Sequence, residues 1–441
     1  MIRSVVLLLV TVALMASARS FLPDAEAARS SAGVALGFGF LVIAAIQAGN
    51  IFAALKLPRL TGYLLCGLLV GPDVAALLTP GMVSNLRLVN GVAVGLIALS
   101  AGSELNLKSL RPRLKSVLMV SFIAVPAAMV GITLLVKLLG GQMPFLTALT
   151  ATQQWTAALT LGVVLASLSP AVTIAILSET ASAGPMSETA LGVVVLADIL
   201  IIVAFTVVHS LGASVFGVTA GAGHLSPAMQ LAIEIGGSIA VGSLVALSLA
   251  VYYRTVKKHF ALVVLAVCVV AAEVGTRLHL DALLVCLTAG LLLENALGVG
   301  GATIAKTLAP ANLPIFAVFF ALAGAGLHVH DLKTLWPLAL VMAAGRVASL
   351  FLGAQVGARL AATPDIVRRW LPLALVSQAG VSVGLAELLA RHFPTWGPGA
   401  RGLILAIVTV NEMVGPVLLR FGLTRAGEVG KREGEVEHHE H

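Results

Sequence analysis

Apolar runs about 20 residues long, the length a helix needs to cross a bilayer, recur along this chain from one end to the other. No other feature narrows the fold as far. A backbone in lipid must satisfy its own N–H and C=O groups, which leaves helices and closed barrels. Barrel strands alternate polar and apolar residues, and these runs do not. The chain is expected to be an all-α polytopic membrane protein. Of its 441 residues 59% are hydrophobic and 11% charged, where a soluble protein carries about 25% charged residues. The net charge of +7 then needs no nucleic-acid partner, since basic residues in such chains mark loop orientation. Cys66, Cys268 and Cys286 lie in apolar runs without a Cys-x-x-Cys pair. That argues against a disulfide framework or a structural metal.

The first residues read as a separate unit. Arg3 precedes "VVLLLVTVALM", and "ASA" follows at Ala16 to Ala18. A charged start, a short apolar core and a small-residue site predict a signal peptide over residues 1–18, the alternative being an uncleaved helix. Thirteen spans follow, at 33–55, 60–77, 87–103, 115–138, 155–178, 187–212, 226–252, 260–276, 278–296, 310–328, 334–361, 369–391 and 400–424. The boundary at "RLHLD" is the weakest of them. With the N-terminus outside, seventeen Lys and Arg fall on the inner side and eight on the outer. The positive-inside rule therefore puts the C-terminus in the cytoplasm. Residues 425–441 are charged and are expected to form a disordered cytoplasmic tail, with solvated histidines.

The chain also repeats itself. "LKSLRP" at the end of the third span returns as "LKTLWP" at the end of the tenth, 225 residues later. "YLLCGLLVGP" in the second span pairs with "CLTAGLLLEN" in the ninth, 223 residues later. The first repeat then covers about 33–212, a linker helix 226–252, and the second repeat about 260–424. A shift of seven spans inverts the second copy in the membrane. Inverted repeats are a common architecture of secondary transporters.

The repeat also pairs the polar anomalies. The fifth span holds "LASLSPAVTIAI", with Ser169-Pro170 mid-span, and the twelfth holds "LALVSQAGVSVGLA", with Ser377-Gln378-Ala379-Gly380. Pro removes a backbone donor, and Pro or Gly among hydroxyls can open a helix. Two breaks at one depth would bring half-helix ends together, where freed carbonyls and hydroxyls can hold a cation. A simple proline kink is the competing reading. Asp198 sits near the middle of "VVVLADILIIVAF", Arg346 in "VMAAGRVASLF" and Glu412 in "VTVNEMVGP". A charge inside a membrane span is costly and marks a functional site by default. Structural ion pairs, Asp198–Arg346 or Glu412–Arg346, are the alternative. Glu104, Glu234, Glu273, Asp281 and Glu387 rank lower, being nearer span ends or away from a paired break. The histidines, among them His209 and His392, cluster at span boundaries.

Several stretches resemble, in order, the cation:proton antiporter family, in the branch that holds Kef-type and bacterial sodium/proton exchangers. They are "LKLPRLTGYLLCGLLVGP" (Leu55 to Pro72), "GSELNLKSLR", "LSPAVTIAILSETASAGPMSETALGVVVLADIL", "LPIFAVFFALAGAGLHV" and "LPLALVSQAGVSVGLA". The resemblance covers about residues 33–424. It implies a homodimer with a core domain that holds two crossing broken helices, here the fifth and twelfth spans. It implies that Asp198 is the essential ion-binding aspartate and that Arg346 lies in the helix carrying a basic partner. The chain departs from the pattern at Ala197, where the family usually has Asp, Asn or Gln, and at Leu168, where the broken helix often has a hydroxyl. No nucleotide-binding regulatory domain is expected after the last span.

The expected chemistry is exchange of a monovalent cation, Na+ or K+, for protons. The cation and proton site would comprise Asp198, Ser169, Ser377 and Gln378, with breaks at Pro170 and Gly380. Arg346 and Glu412 would balance charge. A bare buried carboxylate is disfavoured, so a proton or a cation must neutralise it before the site crosses. One acid beside Ala197 implies one charge for one charge, hence electroneutral exchange. A channel would need polar residues along the whole path, whereas these cluster at one depth. A non-transporting sensor on the same fold, or a carrier of another substrate, is the other alternative. No phosphate loop, nucleophile elbow or His-Glu metal pair is present, so neither enzyme activity nor a cofactor is expected.

Overall fold

The computed structural model describes residues 2–21, 31–104, 107–217, 227–278, 280, 282–299, 301–327, 329–378 and 380–431. Their regular structure is helical. The main helices are α1 (Ile2–Phe21), α2 (Ser31–Ala54), α3 (Arg59–Val70), α4 (Arg87–Glu104), α5 (Leu114–Leu139), α6 (Ala151–Leu165), α7 (Pro170–Glu179) and α8 (Pro185–Val215). They continue as α9 (Pro227–Thr255), α10 (Phe260–Leu278), α11 (Ala282–Asn295), α12 (Gly301–Ala325), α13 (Val329–Leu360), α14 (Asp365–Ala374), α15 (Gly380–His392) and α16 (Gly397–Ala426). Each stretch read as a span holds a helix. Two of them, 155–178 and 369–391, hold a pair of shorter ones. Eight helices among the described residues are long and apolar enough to cross a membrane, and shorter apolar helices accompany them. Large side chains such as Leu244, Leu262 and Leu352 are more than 60% exposed, as a lipid-facing surface requires and a water-facing one avoids. This is an all-helical, multi-span membrane fold.

The chain folds into two compact units, each drawn from both halves of the sequence. The first comprises residues 1–108 and 232–327. Its helices approach closely at several glycines. A Cβ on Gly67 of α3 would strike the Ala321 carbonyl of α12, and one on Gly324 of α12 would strike the Leu64 carbonyl of α3. Likewise a Cβ on Gly290 of α11 would strike the Leu99 carbonyl of α4, and one on Gly102 of α4 the Leu287 carbonyl of α11. Where apolar surface alone does not drive helices together, such close backbone packing does. Leu64 and Gly67 stand at the same places in "YLLCGLLVGP" as Leu287 and Gly290 do in "CLTAGLLLEN". In this unit α1 packs on α2 and runs helical through Ala16–Ala18, burying only Met15.

The second unit comprises residues 109–231 and 328–441. Here α5 and α13 pack along much of their length. Gly353 and Gly357 of α13 lie where a Cβ would come within 2.6 Å of Ala124 and 2.7 Å of the Met119 carbonyl. A capping box opens α6: the Gln153 side chain accepts from the Thr150 N–H at 3.0 Å, and the Thr150 hydroxyl accepts from the Gln153 N–H. Gly427, at φ +71°, closes α16, as a left-handed residue commonly does. The tail expected to be disordered from 425 is ordered at its start: α16 continues to Ala426, and Glu428 is buried. Residues 432–441 of that tail lie outside the described residues.

Candidate functional site

Both anomalies in the apolar pattern become true breaks, all within the second unit. Between α6 and α7 the helix stops for Ala166–Ser169. Ser169 is extended (φ −119°, ψ 101°), and its hydroxyl caps α7 by accepting from the Val172 N–H at 3.2 Å. Pro170 occupies the first helical position, where a missing N–H costs nothing. This is more than a proline kink, because the chain leaves the helix and a new one starts with its own cap. Between α14 and α15 the chain is non-helical at Leu375–Gln378, and α15 restarts at Gly380. Ala379 lies outside the described residues.

A buried polar network joins the two breaks. Gln378 is fully buried. Its amide nitrogen donates to the Ser382 hydroxyl at 2.8 Å and approaches the Leu165 carbonyl at 3.4 Å and the Ser167 hydroxyl at 3.5 Å. Its amide oxygen accepts from Asn411 Nδ2 of α16 at 2.9 Å. The Ser167 and Ser382 hydroxyls share a further hydrogen bond. Gly415 of α16 makes room for the second break, since a Cβ there would lie 2.7 Å from Ser377 Cα. The Ser377 hydroxyl is buried without a hydrogen-bond partner among the described residues.

Arg346 of α13 ties the same breaks together electrostatically. It is 0% exposed. Its Nε donates to the Leu165 carbonyl at 2.6 Å, Nη2 to the Ser167 carbonyl at 2.6 Å and Nη1 to the Val376 carbonyl at 2.8 Å. These carbonyls lie at the C-terminal ends of α6 and α14, where partial negative charge collects. The guanidinium fork reaches these three acceptors from three separate nitrogens, a spread that the single nitrogen of an ammonium could not match.

Asp198 lies on α8, buried at 9% exposure beside the fully buried Ala197. Its helix packs against both halves of the first broken helix, α6 and α7, and against α14. Leu168 is buried as well. Of the residues expected to act together, Gln378 and Arg346 meet at the breaks, while Ser169 and Ser377 form part of the break backbones. Glu412 is 3% exposed but forms no hydrogen bond or ion pair among the described residues, so the Glu412–Arg346 pair is not found there. Ser167, Ser382 and Asn411 belong to the network although sequence reasoning singled out none of them as a site residue. The doubled serine of "LASLSP" and the four-residue spacing from Gln378 to Ser382 were the available signals.

The lower-ranked acids whose side chains are described are paired locally, whereas the His209 Nδ1 is buried without a hydrogen-bond partner among the described residues. Glu273 pairs with Arg277 at 2.7 Å and Glu387 with Arg401 at 2.9 Å. His209 stacks on Phe205 and meets the edge of His392. The side chains of Glu104, Glu234 and Asp281 lie outside the described residues. No group of three metal-ligating side chains occurs among the described residues.

The sequence profile of the family described as "Sodium/hydrogen exchanger, transmembrane" matches residues 38–410. No curated protein matches the chain significantly. Among solved structures the fold is similar to the sodium proton antiporter MjNhaP1 from Methanocaldococcus jannaschii at pH 8, with a TM-score of 0.64 at 17% identity, covering 89% of this chain and 97% of that one. An electron-microscopy structure of the same antiporter gives a TM-score of 0.70 at 18% identity, with the same coverage.

Proposed function

This chain belongs to the transmembrane sodium/hydrogen exchanger family, and we propose that it exchanges one monovalent cation, Na+ or K+, for one proton by alternating access, with Asp198 as the exchanging group. It is a transporter, not an enzyme. The observation that carries the reading is the neighbourhood of Asp198: a buried carboxylate whose helix packs on a helix interrupted at Ser169. Arg346 already supplies a permanent positive charge to the half-helix ends. A cation entering there meets that charge, so a carboxylate is needed to hold it. A proton satisfies the same carboxylate, and a site that crosses only when neutralised must swap one for the other. In this reading Ser169, Ser377 and Gln378 are the neutral oxygen ligands that join Asp198 in holding the cation, and Pro170 and Gly380 permit the breaks. Glu412 has no place in this scheme as a partner of Arg346.

Two breaks bound to each other through Gln378, Ser167 and Ser382 support a crossing of broken helices. The paired glycine contacts, Gly67 with Ala321 and Gly290 with Leu99, support about thirteen spans in two inverted repeats. The two glycines stand at matched positions of the two copies, and each meets a helix of the other copy. The excess of Lys and Arg on one side supports an outer N-terminus and a cytoplasmic C-terminus in the cell membrane, and homodimerisation follows from the family resemblance.

Purified protein in liposomes with a trapped pH dye tests the exchange. Adding Na+, K+ or Li+ outside is expected to raise internal pH when the inside is acid-loaded, and the responding ions name the substrate. A response to none of them across a broad pH range contradicts the proposal.

A further inference from the structure

One buried carboxylate in the second unit has no part in this exchange. Glu428 follows the left-handed Gly427 that ends α16 and is 2% exposed. Its Oε1 accepts from the Met186 N–H at 2.6 Å. Its Oε2 accepts from the Ser187 N–H at 2.7 Å and from the Ser187 hydroxyl at 2.6 Å. These amides belong to the first turn of α8, the helix of Asp198. The first turn of a helix leaves its N–H groups without intrahelical partners, and α8 has no capping side chain of its own, because Gly184 at φ +146° precedes it. A Cβ on Gly184 would lie 2.6 Å from the Glu428 carboxyl carbon. The position is thus shaped for a carboxylate arriving from the other end of the chain.

The backbone makes the same connection. The Ala183 N–H donates to the Glu428 carbonyl at 3.2 Å, and the Gly430 N–H donates to the Thr180 carbonyl at 3.0 Å. The linker between α7 and α8 is therefore bound at both of its ends by residues 428–430. Glu179 at the end of α7 faces Arg420 of α16 at 3.9 Å. Three helices that bear on the proposed site, α7, α8 and α16, are clasped at one end by a single short segment.

We propose that Glu428 is a positioning residue for the exchange: it clasps α7, α8 and α16 into one body and so fixes Asp198 in register with the break at Ser169. The proposal rests on the reading of Asp198 as the exchanging group. Hydrogen bonds to a carboxylate are short and about twice as strong as neutral ones, and a negative group suits a helix N-terminus. A helix transmits axial displacement along its length because its rise per residue is fixed. Release of the clasp lets α8 slide against α6 and α7, and small misplacements in a site are costly.

Two readouts test this in the full-length protein, with Glu428→Ala and, as the milder variant, Glu428→Gln, which keeps one acceptor oxygen. In amide hydrogen exchange, Glu428→Ala is expected to lose protection about tenfold or more from Met186 through Asp198 and around Ser169. In liposomes, its KM for the transported cation is expected to rise about fivefold or more while the maximal rate per folded transporter changes little. Glu428→Gln, which loses the charge and turns one acceptor into a donor, is expected to recover only part of both. Loss of protection confined to residues 186–188, or a KM equal to that of the wild type, overturns the positioning role. If the wild type exchanges no cation, the functional proposal falls, and hydrogen exchange alone still decides whether the clasp reaches Asp198.

Discussion

A guanidinium shut away from water has to place every donor it can on an acceptor. Arg346 does so by donating to the carbonyls of Leu165, Ser167 and Val376. Removing it strands three buried acceptors and two like-charged helix ends. Arg346→Ala is expected to lower stability by at least about 3 kcal/mol, read as a fall in thermal unfolding temperature in detergent. Arg346→Lys is expected to recover only part of that loss, since a point charge cannot span three acceptors. Full recovery by lysine would mean that charge alone, not the fork, holds the breaks. The sequence exposed Asp198, Arg346, Ser169 and Gln378 because a charge or a breaker stands out in an apolar run. Ser167 and Ser382 did not stand out. Small polar residues are ordinary in membrane helices, and theirs became meaningful only when segments some two hundred residues apart met. The role of Arg346 was left open for a related reason, since backbone carbonyls leave no trace in a sequence.

At the scale of helices, apolar run length placed a helix in every run, because a backbone in lipid must satisfy its own hydrogen bonds, although the runs at 155–178 and 369–391 each hold two short helices. The breaks were readable from Ser-Pro and Ser-Gln-Ala-Gly, residues that cap or interrupt. The clasp was not readable: a Glu after Gly427 in a charged tail looks solvated until the first turn of α8 arrives beside it. Repeat-matched contacts make a sharp prediction here. Gly67→Leu and Gly290→Leu each force a side chain into a neighbouring backbone, and each is expected to cost more than about 2 kcal/mol. Fluorescence-detected gel filtration of membrane extracts should show both as aggregated or low-yield protein. Wild-type behaviour of either would mean that the close approach at that glycine is dispensable.

For the molecule as a whole, one acid beside Ala197 predicts a cycle that moves no net charge. Imposing a membrane potential with valinomycin on the liposomes is expected to leave the steady exchange rate nearly unchanged, and a strong voltage dependence would assign a second charge to the cycle. At the N-terminus, α1 buries little, so its removal costs the fold little. N-terminal sequencing of protein from membranes is expected to begin just after Ala18, and an intact Met1 would make α1 a retained helix. The most direct test of the central claim sets wild type beside Asp198→Asn in the cation-driven pH assay, at equal amounts of folded protein. Asparagine keeps the shape of the side chain but can neither release a proton nor carry a charge. The account predicts that the variant folds, elutes like the wild type and gives no cation-driven pH change. Exchange at the wild-type rate in Asp198→Asn would remove Asp198 from the mechanism, and the account with it.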